Sequence, residues 1–109
     1  MEIKIADKCC IITPLSPKLS EHESLRLEEE IENLQGLRIA LDMSYVNDCT
    51  IDFIEKIKNN TGISLFNVSS DIFAILTGMN LDKVLNLFVS EMDFLNDKHQ
   101  LINRKFNVV

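Results

Sequence analysis

The chain has 109 residues of even composition, the size of one domain. With 46% hydrophobic and 26% charged residues it is too apolar for a disordered chain, and a chain of this length buries roughly two-thirds of its unfolded surface. Seventeen acidic against eleven basic residues leave a net charge of −6, which argues against a binder of phosphate backbones. Its apolar runs fall far short of the ~20 residues that cross a bilayer.

Met1-Glu2-Ile3-Lys4-Ile5 alternates and lacks a long apolar core, so no export signal is expected. Three cysteines, two of them adjacent (Cys9 and Cys10), then read as reduced thiols in the cytoplasm. Residues 2–6 and 9–13 predict two strands joined by a turn at Asp7-Lys8. Pro14 and Pro17 are expected to stop any ladder, having no N–H to donate. Ser20-Glu21-His22-Glu23 is a capping-box pattern. Leu27, Ile31 and Leu34, with Leu25 beside them, predict a helix over about 21–35, closed by a left-handed Gly36. This segment holds six glutamates and one arginine, so most of the net charge lies on one helix, which reads first as a solvated face.

Residues 37–43 predict a strand covered on both faces. After a loop over 44–48, Ile51, Phe53, Ile54 and Ile57 predict an amphipathic helix, with Asp48 as a candidate cap, ending near Asn59-Asn60-Thr61-Gly62. Residues 63–68 predict the next strand. Ser69-Ser70-Asp71 opens a helix with a core stripe of Ile72, Phe73, Ile75 and Leu76, stopping at Gly78. A turn over 82–85 leads to a strand at 86–89, and Ser90-x-x-Asp93 caps a last helix carrying Met92 and Leu95. The tail from Gln100 reads as a strand or a frayed end over 105–109. Phe53, Phe66, Phe73 and Phe88 are expected in the core, with Met43 and Met79 as gap-fillers. Strands alternating with helices imply crossovers: one α/β domain over 1–109, with a mixed, largely parallel sheet of four to five strands and about four packed helices.

Little here supports catalysis. Cys49 stands at a strand-to-helix turn, where exposed amides and the helix dipole can lower a thiol pKa; the plainer reading is a small buried cysteine, and neither His22 nor His99 can be set beside it. No Cys-x-x-Cys or His-x-x-x-His spacing gathers metal ligands around Cys9-Cys10. Asp52 and Glu55 read as solvated helix face, and the three glycines cradle no phosphate. No metal or cofactor is expected.

One stretch carries more information. Leu37-Arg38-Ile39-Ala40-Leu41-Asp42-Met43-Ser44, followed by Asp48-Cys49-Thr50-Ile51 and an apolar helix, resembles the signature of the STAS domains, the bacterial anti-sigma-factor antagonists. That signature is a strand closing on Leu-Asp-Leu-Ser, a short loop, an Asp-Ser-Ser-Gly turn and an apolar helix. Ile75-Leu76-Thr77-Gly78-Met79, then Asp82-Lys83 and Leu87-Phe88, is similar to the family's later Thr-Gly helix end. The motif match covers about residues 37–89.

The resemblance implies a non-enzymatic switch. In the family the first serine after the turn aspartate is phosphorylated by a serine kinase that is itself an anti-sigma factor, and the unphosphorylated domain binds that partner. A phosphate breaks such an interface by repulsion and desolvation. The turn here reads Asp48, Cys49, Thr50: Asp48 would orient the acceptor, Cys49 stands at the acceptor position, Thr50 stands at the second serine and could substitute as acceptor, and Ile51 replaces the glycine; the switch is then lost or altered. The expected partner surface is Tyr45, Asn47, Asp48, Cys49, Thr50 and Ile51. The expected partner is an anti-sigma factor kinase or a related ATPase, with no nucleic acid and no membrane insertion, and a homodimer is left open. Two alternatives stand beside this: a STAS-like accessory subunit of a bacterial ATP-driven lipid-transport complex, and a thiol enzyme or redox sensor using Cys49.

Overall fold

The alternating and apolar segments at the start of the chain form strands β1 (Glu2–Ala6) and β2 (Cys9–Thr13), and Lys8 between them takes the left-handed conformation at φ 67°. The computed structural model describes residues 1–6, 8–34, 36–59 and 62–96; Asp7, the end of the second predicted helix at Asn60-Thr61, His99 and the tail from Gln100 lie outside the described residues. There follow β3 (Lys18–Leu19), α1 (Glu21–Asn33), β4 (Arg38–Asp42), β5 (Asp48–Cys49), α2 (Ile51–Asn59), β6 (Ile63–Phe66), α3 (Ser70–Gly78), β7 (Asn86–Phe88) and α4 (Glu91–Leu95). This is the expected α/β order with two additions, the two-residue strands β3 and β5.

The main sheet has five strands in the order β1-β2-β4-β6-β7. β1 is antiparallel to β2, and the other pairings are parallel, as crossover helices require. Strand alternation divides the core into two layers. Cys10, Ile12, Ile39, Leu41, Ile63, Leu65 and Leu87 face Leu27, Phe53, Ile54, Ile57, Ile72 and Leu76 from α1, α2 and α3. Cys9, Ile11, Ala40, Phe66 and Phe88 face the short α4.

The helices are capped largely as their sequences require. Glu23 reaches back to the Ser20 amide at 3.2 Å, and the Ser20 hydroxyl bonded to its carboxylate holds the Glu23 pKa below the ordinary value. Ser69 accepts from the Ile72 amide at 3.2 Å and Ser90 from the Asp93 amide at 3.3 Å. Gly36 is left-handed at φ 92°.

Several expectations need correction. On α4 the buried side chain is Phe94, with the expected Leu95 half-buried beside it, whereas Met92 is exposed on the outer side of the short helix. Phe94 stacks near Phe66 (centroids 6.1 Å) and meets Phe88 edge-on (5.8 Å). The Arg38 guanidinium lies 4.5 Å over its ring and donates to its carbonyl at 3.1 Å. Met79, past the end of α3, and Leu25, on the outer side of α1, are exposed, whereas Met43 is buried. Phe53, Phe66 and Phe88 are buried, with Phe73 half-buried against the first layer.

Phe94 is thus the single large anchor of α4. Phe94→Ala is expected to cost about 3–5 kcal/mol, read as a lower urea midpoint in chemical denaturation; Met92→Ala should leave the midpoint unchanged.

Candidate functional site

The signature stretch lies where β4 ends. Asp42, the last residue of β4, accepts from the Ser44 amide and from the Asn67 side chain, both at 3.1 Å. The first bond is an Asx turn that bends the chain out of the strand; the second ties the end of β4 to the end of β6, where Asn67 is left-handed at φ 55°. The Met43 amide donates to the Phe66 carbonyl at 3.0 Å, extending that tie by one residue.

The loop then runs beside residues 14–19. The Pro17 carbonyl accepts from the amides of Asn47 (2.8 Å) and Asp48 (3.1 Å), and the Leu19 carbonyl from that of Thr50 (3.0 Å). Between these bonds β3 and β5 pair in parallel, Lys18 opposite Asp48 and Leu19 opposite Cys49. Pro17 therefore does not end hydrogen bonding here. Lacking an N–H, it still offers a carbonyl, and the ladder resumes at the next residue. Alternation along this ribbon sets sides: Leu19 and Cys49 are buried, Lys18 and Asp48 exposed.

The expected site residues fall into distinct positions. Tyr45, Asn47, Asp48 and Ile51 are exposed and Thr50 is half-buried, but Cys49 points inward, 8% exposed, with Met43, Phe53, Ile54 and Leu65 around it. Burial, and after it the charge of Asp48, push the Cys49 thiol up to about 11. This bears out the plainer reading, a small buried cysteine, over the lowered pKa that a helix start can give: α2 begins two residues later, and the thiol faces the core rather than the helix amides. Cys9 and Cys10 are also buried, and all three thiols are free. Among the described residues no group of three His, Cys, Asp or Glu side chains converges as a metal site.

Asp48 is not the cap of α2. Its carboxylate accepts from the Cys49 amide at 2.9 Å and lies 3.9 Å from Lys18. Thr50 caps the helix instead: its hydroxyl accepts from the Phe53 amide at 3.3 Å and its carbonyl from Ile54 at 3.2 Å. Ile51, expected on the apolar side of the helix, is instead its first residue, turned away from the core and 65% exposed.

Tyr45 and Ile51 lie at the same end of the sheet but on different layers. Ile51 opens α2 on the three-helix side. Tyr45 leans to the α4 side, where with Asp42, Ser44, Thr13, Glu2 and Glu91 it lines a groove of about 260 Å³. The sequence contained a usable sign of the Asp42 turn, the Asp-x-Ser spacing. It held none of the Pro17 carbonyl's role, because backbone acceptors leave no trace in residue identity.

No protein-family model matches the sequence, and no curated protein matches it. Solved structures do. A crystal structure of a Thermotoga maritima protein assigned as an anti-sigma factor antagonist superposes with a TM-score of 0.77 at 18% identity, covering 88% of this chain and 92% of the other. An NMR structure of that Thermotoga protein gives 0.70 at 18% identity, covering 86% and 84%. The phosphorylated form of the Bacillus cell fate determinant SpoIIAA gives 0.58 at 11% identity, covering 90% and 98%. The chain has the STAS fold, as its motifs imply.

Two outcomes follow from the geometry of the turn. Thr50→Ala is expected to lower stability by about 1 kcal/mol through loss of the cap, while Asp48→Ala, which breaks only an exposed ion pair and a local bond, should cost clearly less in the same urea titration. Cys49 in the folded protein should react with iodoacetamide at pH 7 far more slowly than free cysteine, with peptide mapping as the readout; a rate equal to or above that of free cysteine would restore the thiol reading.

Proposed function

We propose that the chain is a non-enzymatic regulatory domain which binds a protein partner through the turn and helix start at the end of β4, and that its phosphorylation switch is lost. The fold supports the class of function. The observation that carries the specific reading is the capping of α2 by Thr50, with Cys49 buried before it and Ile51 exposed after it.

A phosphoacceptor must be reachable by a kinase, and Cys49 is not. Aspartate and threonine are both good caps, so the family turn can be aligned on the cap instead of on the aspartate. Thr50 then takes the place of the turn aspartate, and Ile51 that of the first serine. In either alignment the acceptor position carries no hydroxyl. The one hydroxyl in the turn, that of Thr50, already accepts the Phe53 amide. What stands at the exposed helix start is a branched apolar side chain, which strengthens a contact and cannot be charged. The partner class this favours is the anti-sigma factor kinase, or a related ATPase, held in a complex that ATP does not dissolve.

The phosphorylation test separates the alignments. Incubated with ATP and a serine kinase of the anti-sigma-factor type, the wild-type chain should take no phosphate at residues 49–51 by mass spectrometry. Ile51→Ser should gain one and Cys49→Ser should not. Stoichiometric phosphate on Thr50 of the wild type would overturn the lost switch. For the captured partner, Tyr45→Ala and Ile51→Asp should each weaken binding at least about tenfold by calorimetry; affinity unchanged in both would place the interface elsewhere.

A further inference from the structure

β1 is an edge of the main sheet, paired on one side only, and all five of its residues are exposed. An edge strand presents a row of N–H and C=O groups that another strand can satisfy, and charged side chains are a common way of discouraging this. The charges on β1 are arranged differently. Its register with β2 puts Glu2 beside Thr13 and Lys4 beside Ile11, on the α4 face, while Ile3 and Ile5 lie beside Ile12 and Cys10 on the three-helix face. Ile3 is 42% and Ile5 58% exposed, at the open rim of the first core layer.

We propose that β1 pairs antiparallel with β1 of a second copy of this chain, in the register that sets Ile3 opposite Ile3 and Glu2 opposite Lys4. Directly opposed residues in antiparallel strands share a face and interact most strongly. This register therefore forms two Glu2–Lys4 pairs on one face and brings Ile3 against Ile3, and Ile5 against Met1, on the other. The adjacent registers that keep the faces matched do worse. One sets Lys4 against Lys4; the other sets Glu2 against Glu2. The sequence Glu-Ile-Lys is thus self-complementary in one antiparallel register. Lys4 also bonds Glu91 of its own chain at 2.8 Å, so its ammonium would lie between two carboxylates, while Glu2 has no ion-pair partner among the described residues.

The product is a ten-stranded sheet running through a twofold axis. The opposite edge, β7, has only three residues and offers a shorter ladder. A five-residue edge buries well under the ~800 Å² per partner of a stable interface, so the association is concentration-dependent. It uses none of residues 45–51, and its success or failure is separate from that of the partner-binding reading.

Sedimentation of the full chain at rising concentration and low salt tests the proposal. The weight-average mass should climb from 12.5 kDa toward twice that value. Glu2→Lys sets lysine against lysine, and Lys4→Glu sets glutamate against glutamate, so each variant alone should associate at least tenfold more weakly. Both positions are exposed, and circular dichroism should show both variants folded. Mixed in equal amounts, they present an all-lysine and an all-glutamate edge, and association should return. A wild type that stays monomeric up to about 1 mM, a single variant that dimerises like the wild type, or a mixture that fails to restore association would each overturn it.

Discussion

The two hydrogen bonds into the Pro17 carbonyl decide which way each side chain turns after β4. They hold the loop after β4 against residues 14–19 and start a two-residue parallel ladder. Once Leu19 is buried in the first core layer, the residue paired with it must be buried too, and that residue is Cys49. Asp48 before it faces water, and the chain reaches Thr50 in position to cap α2. Remove this ribbon, and nothing in the sequence says which of Asp48, Cys49 or Thr50 turns outward. With it, burial alternates along the turn by the ordinary rule for strands.

Under the proposed reading, the same ribbon sets the family turn two residues further along the chain than residue identity does. Matching Asp48 to the family aspartate relies on residue identity. Matching Thr50 to it relies on the role, which is to satisfy the free amides at the head of a helix. Identity is the weaker guide at such a place, since several short polar residues cap equally well. The role carries the burial pattern with it: core side chain, cap, exposed first helical residue. A cysteine is also among the residues most often found buried, so its inward position is no anomaly once the strand is recognised.

Most of the fold was legible because its elements are regular. Ile72 and Leu76 on α3, Phe53, Ile54 and Ile57 on α2, and the serine caps Ser69 and Ser90 obey periodicities and end signals that act over a few residues. The crossover order of strands and helices then required a mainly parallel sheet. What sequence reasoning missed depends on tertiary contact. The strand at Lys18–Leu19 exists only because the 46–50 loop lies beside it. Phe94 displaced Met92 as the anchor of α4, with Leu95 packed partly buried beside it, because Phe66 and Phe88 meet its ring and Arg38 lies over it. The groove beside Tyr45 joins Glu2 from β1, Asp42 from β4 and Glu91 from α4, residues that no spacing rule connects.

An exposed isoleucine on its own carries little meaning, since much of any protein surface is apolar. Ile51 is informative because of what it prevents. A switchable helix start needs a side chain that tolerates both water and two added negative charges, and serine meets both conditions. Isoleucine meets neither: it cannot accept a phosphate, and uncovered it leaves unrealised about 1.5–3 kcal/mol of burial that a partner would recover. Under the proposed alignment, isoleucine in place of serine would move the site from reversible toward permanent contact, whereas a simple loss of regulation would be satisfied by alanine. Tyr45, exposed at the same end of the sheet but on the other layer, acts in the same direction. A partner of the proposed kind that covered both would straddle the ends of the strands, where the Pro17 ribbon and the Asp42 turn hydrogen-bond the backbone.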